Sequence, residues 1–256
     1  MENDPGFTIE GMKTVAGFDI SSPKDDDTVG FAYFVVMSFP QMKVLYKDSM
    51  FVKIDAPYCP GFLAFKEVPH FLELYEKFKK ERPDLNVDMV LVDGNGILHC
   101  NECGCASHLG VLLDLPTIGC GKTIFAVDGI NKGITDEIKE DFRQNQSPKG
   151  AYYFLKGRSG RTWGAGLKSG KDSNDPLIVS VGHRVNIETA IKIVDICCST
   201  RVPEPIRFAD LESRKLVRDY EKTQPKTKPA PQPEQNTAGQ NETEANNSDD
   251  EWVKAK

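Results

Sequence analysis

The sequence predicts a mixed α/β sheet flanked by helices in one folded domain, on three observations. Apolar runs of strand length are interspersed with stretches of helical periodicity. The second run, Gly30 to Met37, is nearly all apolar, as a strand buried on both faces should be. The turn chemistry of Ser38-Phe-Pro-Gln41 joins that run to the next as an antiparallel hairpin.

The elements follow in order. Thr14–Asp19, Val29–Phe39 and Met42–Tyr46 read as strands, and Met50–Ile54 as a short fourth strand or the end of the third. A helical stretch spans Phe62–Glu67. A second helix, Pro69–Arg82, has Pro69 in its first turn, with Phe71, Leu74, Tyr75 and Phe78 at helical spacing. Val87–Val92 is a strongly apolar strand ending at Asp93-Gly-Asn-Gly96. Ala106–Leu113 reads as a helix and Thr117–Gly119 as a short strand. After a polar link come strands at Ala151–Leu155, Thr162–Leu167 and Leu177–Val181. Helices at Ile187–Cys198 and Asp210–Tyr220 close the domain, residues 1–220. From Glu221 to Lys256 the chain is rich in Pro, Gln, Asn, Thr, Glu and Lys, with Trp252 its only aromatic residue. That composition predicts a disordered tail, residues 221–256.

Composition bounds the function. Over 256 residues, 32 Lys and Arg against 38 Asp and Glu leave a net charge of −6. Such acidity argues against holding nucleic acid by bulk positive charge. Locally the balance reverses. Lys149, Lys156, Arg158, Arg161, Lys168 and Lys171 fall within 23 residues that carry no acid, with Tyr152, Tyr153, Phe154 and Trp163 interleaved. No apolar run has the roughly 18–20 residues a membrane span needs, and the N-terminal residues have no signal-peptide pattern. The seven cysteines, an odd number, read as reduced thiols of a cytoplasmic or nuclear protein, the nucleolus included, rather than a secreted one.

Asp19 and Asp93 each end an apolar strand. A carboxylate there is costly unless it faces a cleft or a partner, and a hard divalent cation such as Mg²⁺ is a natural one. Glu67, on the intervening helix, offers a third carboxylate. The simpler alternative is that each Asp caps the following turn. The two glycines of Asp93-Gly-Asn-Gly-Ile-Leu-His99 and the helix opened by Gly104-Cys-Ala-Ser-His-Leu-Gly110 suit a phosphate or a base edge, or simply a tight strand-to-helix connection. His99 and His108 are candidate pocket residues or core histidines. His99-Cys-Asn-Glu-Cys-Gly-Cys105 contains one C-x₂-C, so zinc binding or redox chemistry by Cys100, Cys103 and Cys105 is the rival reading.

Pro57-Tyr-Cys-Pro-Gly-Phe-Leu-Ala-Phe-Lys-Glu67 resembles the wedge segment of the endonuclease V family, and Leu91-Val-Asp-Gly-Asn-Gly-Ile-Leu-His99 its central motif. Ala106 to Gly119 with Lys122, and Val181-Gly-His-Arg184, resemble its later motifs in the same order. Val92-Asp-Gly-Asn-Gly and Val202-Pro-Glu-Pro-Ile-Arg207 look most like the animal members. The resemblance implies an RNase H-like fold and Mg²⁺-dependent cleavage, with Mn²⁺ as substitute. The cut falls at the second phosphodiester bond 3′ to inosine and leaves a 3′-hydroxyl and a 5′-phosphate. For the animal-like members the substrate is single-stranded RNA. The alternatives are repair of deoxyinosine in DNA, or an inosine-RNA binding protein that does not cut.

Carried over residue by residue, Asp19 and Asp93 are implied as metal ligands, and Glu67 completes the acidic cluster by holding a metal-bound water. His183 is implied to orient the nucleophilic water at the scissile phosphate, and Lys122 to stabilise its charge. Tyr58 is implied as the wedge that fills the space left by the extracted base, with Pro60 and Gly61 beside it. Backbone groups around Leu63, Gly94, Gly96 and Cys105 are implied to read the base, with His99 and His108 nearby. The chain departs from the family pattern at Asn101 and Glu102, where relatives carry a basic residue. Its N-terminus is also shorter than is usual in relatives. A monomer with no membrane association is expected.

Overall fold

The computed structural model describes residues 7–55, 59 and 61–224. Eight strands form one mixed sheet: β1 (Thr14–Ser21), β2 (Val29–Ser38), β3 (Val44–Lys53), β4 (Met89–Val92), β5 (Thr117–Gly121), β6 (Tyr152–Lys156), β7 (Thr162–Leu167) and β8 (Leu177–His183). Their spatial order is β3-β2-β1-β4-β5-β8-β7-β6. Only β1–β4 and β4–β5 pair in parallel; every other neighbour is antiparallel.

Among the described residues five helices cover the sheet: α1 (Leu63–Glu81), α2 (Cys105–Leu113), α3 (Gly133–Gln144), α4 (Ile187–Cys197) and α5 (Glu204–Thr223). Alternation along β1 divides the packing. Ala16 and Phe18 join Phe71, Leu74 and Phe78 of α1 on one face. Val15 lies on the other, with Ile191 and Val194 of α4 and Ile206 and Ala209 of α5. A third cluster sits under α3, where Ile138 and Phe142 meet Leu98, Leu155 and Ile178.

The mixed α/β fold is as expected from sequence; one open alternative is decided and three elements differ. Met42–Tyr46 and Met50–Ile54 belong to a single strand, β3, because both pair along β2 with one register shift near Val36. The two helical stretches around Glu67 are one helix, α1, with Pro69 inside it. Proline there removes the hydrogen bond to the Phe65 carbonyl, at a point where both Phe65 and Pro69 are exposed. The polar link contains α3, whose apolar face is reduced to two buried residues, Ile138 and Phe142. The last helix begins at Glu204, with Pro205 in its first turn, and runs through Glu221 to Thr223. Beyond residue 224 the expected disordered tail lies outside the described residues.

Candidate active site

The C-terminal ends of the parallel pair β1 and β4 lie side by side, Phe18 opposite Val92, which brings Asp19 and Asp93 to one edge of the sheet. Helix α5 crosses β1 there. A Cβ on Gly17 would sit 2.5 Å from the Pro205 carbonyl carbon, so only glycine admits the approach. The crossing seats Ser213 against Asp19. Its Oγ donates to Asp19 Oδ2 at 2.5 Å, and Ser21 Oγ donates to the same oxygen at 3.2 Å.

Asp19, Glu67 and Asp93 line one cavity of about 560 Å³, together with Asp210 of α5. Burial pushes the Asp19 carboxyl up to about 6, with the Asp210 and Asp93 charges adding and the Ser213 hydrogen bond opposing. Glu67 is pushed up to about 7, first by burial and then by Asp19 and Asp93. The Cys105 thiol donates to Glu67 Oε2 at 3.8 Å and is itself raised by burial and by Glu67. Asp93 pairs with Lys122, Nζ to Oδ2 at 2.6 Å.

Carboxylates that raise one another's proton affinity form a strong field for a cation, and their oxygens suit a hard one. Among the described residues, no three His, Cys, Asp or Glu side chains are already gathered as a metal cage. Asp93 is turned to the Lys122 ammonium, and Asp19 is held by hydroxyls. A site for Mg²⁺ or Mn²⁺ needs only one or two protein carboxylates beside water and phosphate, and these residues fit that demand.

The cavity continues past the acids to Gly61, Leu63, Gly94, Asn95, His99 and Cys105. Gly61 and Gly94 have φ of 82° and 145°, backbone that L-residues rarely adopt. His99 is buried against Phe125, ring centroids 4.8 Å apart, and burial lowers its proton affinity. The Asn95 side-chain oxygen is buried without a hydrogen-bond partner.

Gly96 serves packing instead. It abuts Val181 of β8, and the Ile97 amide donates to the Val181 carbonyl at 2.8 Å. His108 lies on α2 with its ring 5.0 Å from Phe65, outside the cavity lining. Tyr58 and Pro60 fall outside the described residues.

His183 departs from the expected constellation. Strand β8 runs antiparallel to β5, which places His183 beside Thr117 while Ile178 lies beside Gly121. Its C-terminus therefore points away from the acidic end, and the His183 Nε2 lies 3.9 Å from Asp114 instead. Asp210 takes a place at the cavity that the sequence did not reveal. Its only local signal is the i,i+3 relation to Ser213, which means nothing until α5 is known to cross β1.

The basic run from Lys149 to Lys171 is not one surface. Lys149 pairs with Asp195 at 2.5 Å and Arg161 with Glu102 at 2.6 Å. Lys168 is buried, donating to Asn174 at 2.7 Å, and the Trp163 indole donates to Asp128 at 2.9 Å. Asn101 and Glu102 thus have structural uses, since the Asn101 amide also donates to the Gly61 carbonyl at 3.4 Å. Of the zinc candidates, Cys105 is committed to Glu67, while Cys100 and Cys103 are exposed.

Comparison with known proteins places these features among relatives. A family model described as Endonuclease V matches residues 1–211. Endonuclease V of Mus musculus is 44% identical over 217 residues, covering 85% of this chain but only 63% of the mouse protein. The catalytic domain of human endonuclease V superposes with a TM-score of 0.78 at 41% identity, over 83% of this chain and 85% of that one. A Ciona intestinalis endonuclease V, bound to a 24mer DNA containing an inosine followed by a ribo-adenosine, gives a TM-score of 0.80 at 33% identity. It covers 86% of this chain and 92% of its own.

Proposed function

Because the chain belongs to the endonuclease V family, we propose that it is a metal-dependent endonuclease. It cuts the second phosphodiester bond 3′ to inosine, with single-stranded RNA as its main substrate. The convergence of Asp19, Glu67, Asp93 and Asp210 with Lys122 on one cavity carries this reading. A ribonucleotide following the inosine in the Ciona complex supports RNA.

Asp19 and Asp93 would hold the divalent cation. Its chemistry, when bound, is to lower the pKa of water and to neutralise charge on the phosphate. The chain's own residues do the rest. Ser213 and Ser21 fix one oxygen of Asp19, leaving the other without a side-chain donor among the described residues and so available to a cation. Glu67 accepts hydrogen bonds from a water and so orients the nucleophile. Asp210 adds a fourth carboxyl to the cavity wall. The Lys122 ammonium, at the cavity wall beside Asp93, donates to a non-bridging phosphate oxygen and stabilises the charge that builds in the transition state.

The extracted base occupies the part of the cavity walled by Leu63, Gly94, His99 and Cys105. Hypoxanthine presents an N1–H donor and an O6 acceptor where adenine presents the reverse, so main-chain groups can tell them apart. Tyr58 is the wedge that replaces the lost stacking. The enzyme works as a monomer in the cytoplasm or nucleus, on the reading that its thiols are reduced.

Parallel incubation of matched single-stranded RNA and DNA, each with one inosine, tests the proposal. Mg²⁺-dependent cutting is expected in both, faster in RNA. Binding without cutting in Mg²⁺ and Mn²⁺ would leave only an inosine reader.

A second expectation concerns stability. Asp19 and Glu67 have folded-state affinities near 6 and 7, above the ordinary 3.8 and 4.5. Their stabilising contribution is therefore complete below about pH 4 and is lost as pH rises through 6 to 7. A cation that binds the ionised acids reverses the loss. At tenfold excess over a millimolar Kd, Mg²⁺ adds about 1.4 kcal/mol, or roughly 3–6 °C in Tm, near pH 8 and much less near pH 5. Equal shifts at both pH values, read by thermal melting, would contradict the assignment.

A further inference from the structure

Beside the cavity mouth the chain leaves large rings uncovered. Phe62 is 48% exposed and Phe65 62%, and on the neighbouring helix Val111 and Leu112 are 57% and 53% exposed. The rings are contiguous. Phe62 and Phe65 lie 6.0 Å apart, and the His108 ring meets Phe65 edge-on at 5.0 Å. Exposed apolar surface of this kind, gathered on two adjoining helices, marks a binding surface more often than a neutral one.

We propose that Phe62, Phe65 and His108 form a stacking shelf for the unpaired nucleobases that flank the extracted inosine. The shelf rests on the endonuclease reading above and extends it, making an unpaired strand beside the lesion the substrate.

Three observations select nucleobases as the occupant. The shelf continues the cavity, since Leu63 of α1 and Cys105 of α2 line that cavity within one turn of Phe65 and His108. Neither α1 nor α2 carries an acid in its first turn, so the partial positive charge of both N-termini is left for the phosphates of a strand lying there. And Phe62, Phe65 and the half-buried His108 present adjoining rings, which every base can stack on whatever its sequence. A base paired in a duplex has both faces covered and gains nothing from the shelf.

The test uses the full chain and a short single-stranded RNA with one inosine and 2-aminopurine as its neighbour. In EDTA, binding of the parent is expected to quench the 2-aminopurine. Phe65→Ala should lose most of the quench and bind about tenfold more weakly, the ordinary cost of one lost base–aromatic stack. Phe65→Tyr should keep both. In Mg²⁺ the Ala variant should show the same rise in KM with kcat near the parent's, and no extra cost on RNA annealed to a complement.

Phe65→Ala that matches the parent in quench, affinity and KM overturns the shelf while leaving the endonuclease reading intact. A parent that cuts no inosine RNA in Mg²⁺ or Mn²⁺ overturns the endonuclease reading on its own. Sedimentation that shows a parent dimer and a monomeric Phe65→Ala overturns the shelf in favour of self-association. Because Phe65 is exposed, an unchanged Tm is expected for both variants and separates any binding loss from misfolding.

Discussion

Asp93→Ala is expected to reduce cleavage of inosine-containing RNA by about 10³-fold or more, while the variant still folds and still binds substrate. A cation at a phosphoryl centre contributes several kcal/mol of transition-state stabilisation, and each 1.36 kcal/mol is a factor of ten in rate. Asp93 is one of two carboxylates at the strand ends from which the proposed site is built. Little stability should be lost with it. The Asp93–Lys122 pair is partly exposed, with 46% of the lysine side chain and 29% of the aspartate accessible. Ion pairs in that setting contribute on the order of 0–1 kcal/mol. Removing the acid also frees the Lys122 ammonium to meet the substrate phosphate, so binding in Mg²⁺ should fall less than turnover. Single-turnover cleavage and a parallel binding titration read the two effects. Cleavage at the parent rate would remove Asp93 from the mechanism.

Gly96→Ala should be the most damaging small substitution in the domain, by an unrelated route. A methyl group there would lie 1.9 Å from the Val181 carbonyl oxygen and 2.5 Å from its carbon, both backbone atoms of β8. Neither can rotate aside, so the turn after β4 must separate from β8. That separation also strains two hydrogen bonds, Gly96 N–H to Ser180 Oγ and Ile97 N–H to Val181 O, each 2.8 Å. Overpacking costs about 1–3 kcal/mol and each lost hydrogen bond about 1, so roughly 3–5 kcal/mol is expected. In Tm that is on the order of 10 °C or more for a domain of this size. Gly160 supplies the control. It has φ of 83° but nothing within 4 Å of an added Cβ, so Gly160→Ala should cost only about 1–2 kcal/mol of backbone strain. Similar melting temperatures for the two variants would show that the turn is not held as described.

The two cases mark how far sequence carries. Asp19 and Asp93 were legible because an acid at the end of an apolar strand is costly wherever the strand lies. Glycine motifs were legible as motifs, but not their division of labour. Gly94 lines the cavity, whereas Gly96 accommodates a strand 85 residues further along the chain. His183 shows the opposite limit. Val181-Gly-His-Arg184 stands out as a motif, but whether it faces the acids depends on the direction of β8, which no local pattern encodes. Asp210 was invisible for a related reason, since the close crossing of α5 over β1 depends on the missing side chain at Gly17. In α3 the apolar signal is too sparse, two buried residues in a twelve-residue helix that lies half on solvent. The basic run was real in composition, but three of its six charges, Lys149, Arg161 and Lys168, turned inward or toward an acid only after folding.

The crossing of α5 over β1 also bears on when activity can arise during synthesis. Three of the four acids, with Lys122, come from the first half of the chain, while Asp210 and the hydroxyl that steadies Asp19 arrive on α5. A nascent or C-terminally clipped chain would hold most of the reactive groups in an unfinished state. Such a chain should be nearly silent toward nucleic acid until α5 docks on β1.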